Sequence, residues 1–153
     1  MKRFILLATL FLVLPRPVFA STATVYRQLN LARSSHNRSK LVYSSRLSQV
    51  ALKRATLMAE RQKLAHSFSG IPSTWDMVRT KKYAFTASGE IIAGNIADPK
   101  QLIRAWELST SHRTILYSKK YNQVGVAQIQ IPNGQKLSNI TVIIFAYHPK
   151  NTP

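Results

Sequence analysis

Apolar positions change their spacing along this chain, and the changes mark out its elements. Over residues 25–36, Val25, Leu29 and Ala32 recur at three- and four-residue intervals, the spacing of one helical face. Residues 34–40 are polar and loop-like. A longer helix is predicted over residues 45–64, where Leu47, Ala51, Ala55, Met58 and Ala59 form one buried stripe. Ser44 or Ser45 can cap it, because a hydroxyl there accepts from an otherwise unpaired first-turn amide. Residues 69–73 (Ser-Gly-Ile-Pro-Ser) read as a turn, and residues 74–80 as a short helix carrying Trp75. Residues 83–96 read as a strand and its exit loop. Asp98-Pro99 opens another helix: the carboxylate caps, and proline lacks only an amide that would go unbonded there. Leu102, Ile103 and Trp106 then share a face. Residues 124–131 alternate as a strand does and stop at Pro132-Asn133-Gly134, a hairpin signal. Residues 140–147 are almost continuously apolar, as expected of a strand covered on both faces. Helices first, then a strand, a helix and a hairpin predict an α+β fold.

The first 20 residues follow another rule. Lys2 and Arg3 precede an eleven-residue apolar stretch at residues 4–14, Pro15 ends it, and Val18-Phe19-Ala20 offers a cleavage site. Eleven residues are too few to span a bilayer, which takes about 20 in a helix. Residues 1–20 are therefore expected to be a cleaved export signal, and residues 21–153 one domain with a single core. That places the protein outside the cytoplasm, secreted or periplasmic. Cysteine is absent, which excludes disulfides and lipid attachment at a lipoprotein cysteine. Packing alone must hold the domain, which its length permits.

Charge narrows the partners. The 22 basic and 5 acidic residues give +17, and removing Lys2, Arg3 and Arg16 leaves 19 against 5, or +14. Such a surface attracts polyanions. Anionic envelope polymers, lipopolysaccharide and anionic lipids are candidate partners. Nucleic acid is not specifically indicated, because the basic residues are scattered and no nucleic-acid-binding motif accompanies them. No phosphate-cradling glycine loop, zinc-protease motif or serine-triad acid stands out.

Three motifs carry candidate chemistry. His66 lies in Leu64-Ala65-His66-Ser67, and Glu90 in Gly89-Glu90-Ile91-Ile92-Ala93. His112 lies in Ser111-His112-Arg113-Thr114-Ile115-Leu116, after Ala105-Trp106 and before Val124-Gly125-Val126-Ala127. Glu90 stands out independently, because a bare carboxylate in an apolar strand costs several kcal/mol and must be solvated, ion-paired or liganding. The ordered set resembles the CAP superfamily, the SCP-like domain of cysteine-rich secretory, antigen 5 and pathogenesis-related proteins, in its cysteine-free bacterial form. The resemblance runs from about residue 29 to residue 147. It implies an α-β-α sandwich with a central antiparallel sheet flanked by helices. It also implies that His66, Glu90 and His112 share a cleft, with Trp106 and Ser109 as secondary members. Two imidazoles and a carboxylate form a donor set for zinc or another divalent cation. The chain departs from the family at Ile91, where an asparagine is usual, and at Ser109, where many eukaryotic members carry a second acid. Glu107 is about 200° around the helix from Ser109 and would point away from the cleft. The resulting expectation is a non-catalytic binding or envelope-interaction module. The alternatives are a hydrolase with Glu90 as general base and a basic polyanion binder.

Overall fold

A computed structural model describes residues 22–132 and 134–149 of the chain. The expected export signal and Asn133 of the expected turn lie outside the described residues. Helix α1 spans Thr22–Ser35, strand β1 Val42–Tyr43, α2 Ser45–Glu60, α3 Thr74–Thr80, β2 Ala87–Gly94, α4 Pro99–Leu108, α5 Thr110–Leu116, β3 Gln123–Gln130 and β4 Asn139–Tyr147.

The strands form one sheet in the order β1-β3-β4-β2. Strand β4 pairs antiparallel with both β2 and β3, placing Ile144 opposite Glu90 and opposite Gly125. The two residues of β1 add a short parallel edge to β3. Alternation along β4 distributes the core to both faces. Val142, Ile144 and Ala146 pack with residues of α2 and α3, whereas Ile143 and Phe145 pack with α1, α4 and α5. The near-continuous apolar run of β4 has this cause: both faces are covered. Each fully buried aliphatic or aromatic side chain contributes roughly 1.5–3 kcal/mol. The architecture is an α-β-α sandwich, as the resemblance implied.

Local signals act where they were expected. Ser44 Oγ accepts from Leu47 N, and the Asp98 side chain accepts from Gln101 N ahead of Pro99. Helix α2 stops at Glu60, four residues before the expected end. Gln62 adopts a left-handed conformation (φ 48°) and Lys63 N returns to Met58 O, which closes the last turn. Helix α5 and strand β1 were not foreseen. Only Ser109 separates α5 from α4, so no turn signal marks its start, and the two residues of β1 are too few for periodicity to register. The β3–β4 connection is wider than a tight hairpin, with Ile131 N bonded to Ser138 O.

Helix α2 lies directly against β3 at Gly125. A Cβ there would overlap the backbone of Leu47 and Ser48, so only glycine lets the two elements approach this closely. Beyond the two-residue β1, Ser48 Oγ accepts from Val126 N at 3.0 Å and prolongs the edge ladder with a side chain.

Candidate functional site

Glu90 lies on β2, on the sheet face covered by α2 and α3. Its side chain is 4 % exposed, and both carboxylate oxygens are engaged. Oε2 accepts from Thr74 Oγ1 at 2.8 Å and from Arg54 Nε at 3.2 Å. Oε1 lies 2.7 Å from His66 Nδ1 and also receives Arg54 Nη2 at 3.4 Å. Four elements of the chain converge on this carboxylate. Arg54 comes from α2, His66 from the loop after it, Thr74 from the first turn of α3, and Glu90 from β2.

Arg54 holds this arrangement together. Its side chain is 1 % exposed, and Nη2 also donates to Ala65 O at 2.6 Å. One guanidinium thus neutralises Glu90 and fixes the backbone next to His66. The Phe68 ring lies 5.7 Å from the Arg54 guanidinium carbon and 5.2 Å from that of Arg61, adding cation–π contacts. Thr74 is positioned by Ser73, whose hydroxyl accepts from Asp76 N and donates to the Asp76 carboxylate. That cap sets the start of α3 and the direction of its first turn.

The geometry orients His66. A carboxylate only accepts, so the His66 proton sits on Nδ1, facing Glu90. In the neutral ring Nε2 is then an open lone pair, and the side chain is 60 % exposed. His112, on α5, is half-buried and makes no side-chain hydrogen bond among the described residues. Burial lowers its pKa below the ordinary histidine range, and the charge of His66 lowers it further. The two rings therefore sense each other electrostatically, and His112 stays neutral at pH 7.

Of the three residues that the resemblance implied as a ligand set, His66 and Glu90 meet in a hydrogen bond. Glu90 is committed to Arg54, Thr74 and His66. Among the described residues no group of three His, Cys, Asp or Glu could hold a metal ion. What stands here is an exposed histidine with a buried carboxylate behind it. Such a carboxylate orients an imidazole and raises its basicity.

Among the described residues, the secondary residues make no hydrogen bond to Glu90 or its partners. Trp106 is a core residue of the α1, α4 and α5 layer, with Nε1 donating to Ile92 O at 3.3 Å. Ser109 joins α4 to α5 and shares a hydrogen bond with Ser111. Glu107 accepts from the Tyr117 hydroxyl. Ile91, where the family usually has asparagine, is buried in the apolar core. Gly89 has a steric reason: a Cβ there would come within 2.6 Å of the Tyr121 hydroxyl.

Arg54 and Thr74 were missed from sequence. Arg54 did leave a signal, since it lies three residues after Ala51 and four before Met58, inside the buried stripe of α2. An arginine in such a stripe needs a buried acid, and Glu90 is the acid that lies in an apolar strand.

Among the described residues no helix is long and apolar enough to cross a membrane. The model of the CAP, cysteine-rich secretory protein, family matches residues 26–147. Over 116 residues the chain is 23 % identical to the uncharacterized protein YkwD of Bacillus subtilis, covering 76 % of this chain but only 45 % of that protein. An outer surface protein of Borrelia burgdorferi superposes with a TM-score of 0.73 at 22 % identity, covering 83 % of this chain and 92 % of the other. An extracellular protein containing an SCP domain from Bacillus anthracis gives 0.71 at 21 % identity, over 82 % of this chain and 39 % of that one. A cysteine-rich secretory protein of Staphylococcus aureus gives 0.66 at 18 % identity, over 86 % and 41 %. At these identities the structural likeness is one of fold. With the family match over residues 26–147 and the α-β-α sandwich, it establishes that the chain belongs to the CAP, cysteine-rich secretory protein, family.

Proposed function

We propose that this protein is exported, by the signal at residues 1–20, and acts as a non-catalytic binding module of the cell envelope or its surroundings. Its site is the pair of His66 and His112, which takes a divalent cation or a small polar ligand. The observation that carries this reading is the orientation of His66. Buried Glu90 holds Nδ1 inward and turns Nε2 outward, and His112 has its pKa lowered by burial first and by His66 second.

Neutral imidazole nitrogens suit zinc and its neighbours among the transition metals. His66 and His112 would be the direct ligands, and Glu90 the group that orients one of them. A bound ion would supply an electrophilic centre able to fix an anionic ligand. Catalysis by Glu90 is the weaker reading. A general base needs an oxygen free to take a proton, and both of its oxygens accept from Arg54 and from Thr74 or His66.

The test is zinc titration of the chain followed by calorimetry and by the imidazole resonances of His66 and His112. Expected are micromolar binding, movement of both sets of resonances, and at least about tenfold weaker binding in His112→Ala. Affinity should fall as pH drops through the histidine range, because protonated rings do not ligate. Equal affinity in wild type and variant, with both rings unmoved, would remove the cation from the reading.

A further inference from the structure

Arg33 of α1 is as deeply buried as Arg54, at 1 % exposure, but no carboxylate meets it. Its guanidinium donates to three carbonyls: Ser39 O at 3.1 Å, Leu116 O at 2.6 Å and Ser118 O at 3.1 Å. Carbonyls satisfy the N–H groups without cancelling the charge. Arg38 stands beside it, with Nε bound to Tyr117 O at 2.8 Å, and adds a second positive charge. Burial lowers the Arg33 pKa, and the charge of Arg38 lowers it further. Asn37, left-handed at φ 53°, ends α1 and turns Arg38 back towards Arg33, with Arg38 N bonded to Arg33 O.

These two arginines line a cavity of about 490 Å³ together with Lys40 and Lys119, and with Asn37 and Ser39 on its wall. None of the five acids of the chain lines it. Glu107 accepts from the Tyr117 hydroxyl, and neither residue is among those lining the cavity. Lys40 and Lys119 make no side-chain hydrogen bond or ion pair among the described residues, and both are exposed. Four cations around one cavity with no counter-charge repel one another at distances that salt screens only in part. The missing component is an anion.

We propose that this cavity is a phosphate-binding site, separate from the histidine pair. Phosphate fits better than a carboxylate for two reasons. A phosphate monoester carries about −1.5 to −2 charge at pH 7 and three terminal oxygens, against one charge and two oxygens on a carboxylate. Guanidinium groups match phosphate in shape, and mobile ammonium groups add point charges around it. Arg33 supplies a fixed field from below. Arg38, Lys40 and Lys119 supply donors at the rim.

The experiment is calorimetric titration of the purified chain with inorganic pyrophosphate at about 50 mM salt, where screening is modest. One binding event per chain is expected. Lys40→Gln with Lys119→Gln should weaken it about tenfold or more, since charge-assisted bonds to both lysines go. Neither lysine is held in the fold, and circular dichroism checks that the variant remains folded. Lys53→Gln with Lys100→Gln removes the same charge from exposed positions on α2 and α4 and should leave the affinity nearly unchanged. A second arm uses phosphatidylglycerol vesicles. Vesicle binding displaced by pyrophosphate and lost in the first variant assigns the phosphate to a lipid headgroup. Pyrophosphate binding without vesicle binding assigns it to a free phosphate. No heat from pyrophosphate at millimolar concentration, or equal weakening in the two double variants, overturns the proposal. Neither outcome bears on zinc or on His66 and His112.

Discussion

Two arginines are buried in this domain, and they are satisfied in different ways. Arg54 faces a carboxylate: its charge is cancelled by Glu90 and its spare donor holds Ala65 O. Arg33 faces only backbone carbonyls and has a second arginine as neighbour. Both satisfy their hydrogen bonds, but only Arg54 satisfies its charge. The difference separates two kinds of buried polar site. Around Arg54 the electrostatics close within the protein, and what reaches the surface is an imidazole oriented by its Nδ1 bond to Glu90. Around Arg33 a positive field is left facing a cavity, and an outside anion completes it. Counting hydrogen bonds alone would treat the two arginines as equivalent.

The comparison can be broken most sharply at Arg54. Arg54→Met leaves the Glu90 charge buried without its partner and should cost about 3–5 kcal/mol in urea unfolding. Adding Glu90→Leu should recover much of that loss, because no isolated charge then remains. If the double variant is as unstable as the single one, the arginine acts through packing and not through charge. Arg33→Met should cost less, about 2 kcal/mol, since it frees carbonyls and strands no ion. The same variant should lose pyrophosphate binding. A loss at Arg33 as large as that at Arg54 would end the distinction between the two sites. Thr74→Val, nearly the same shape, removes one bond to a carboxylate that keeps its others. We expect about 1 kcal/mol by thermal or urea unfolding, and more would make the threonine a principal partner of Glu90.

His66→Gln should change stability least, by under about 0.5 kcal/mol, because the ring is largely exposed. Its effect belongs in the titration of His112, followed by NMR. The His112 midpoint should lie below 6.5 in the native chain and rise in the variant. The rise should be partial, because burial is the larger cause of the depression. The sign for stability follows from linkage. Between the depressed native pKa and the unfolded value near 6.5, the unfolded chain binds more protons. Stability contributed by neutral His112 is therefore present above about pH 6.5 and is lost as pH falls through that window. An unmoved midpoint in the variant would mean that His66 and His112 do not interact.

Much of the fold was legible because its signals are local. The stripe of α2, the caps at Ser44 and Asp98, and the apolar run of β4 each depend on residues a few positions apart. Helix α5 was not legible, and neither was the early end of α2, which rests on a left-handed Gln62 whose side chain has no strong preference for it. The motifs around His66, Glu90 and His112 identified the family. The energetic argument required Glu90 to be solvated, ion-paired or liganding, without saying which. The structure shows it paired: Arg54, His66 and Thr74 share its two oxygens.

By itself, the sequence determined where most of the helices and strands lie, which faces they bury and which family they resemble. Hydrophobic period and capping chemistry are read within one or two turns of chain. Only the tertiary structure decided which buried charge meets which partner. Arg54 and Glu90 are 36 residues apart, and Arg33 meets the carbonyl of Leu116 across 83. Neither separation leaves a periodic trace in the sequence, because such pairings depend on how whole layers stack. Two arginines that look alike in the chain thus became a neutralised clamp in one place and an open positive field in the other.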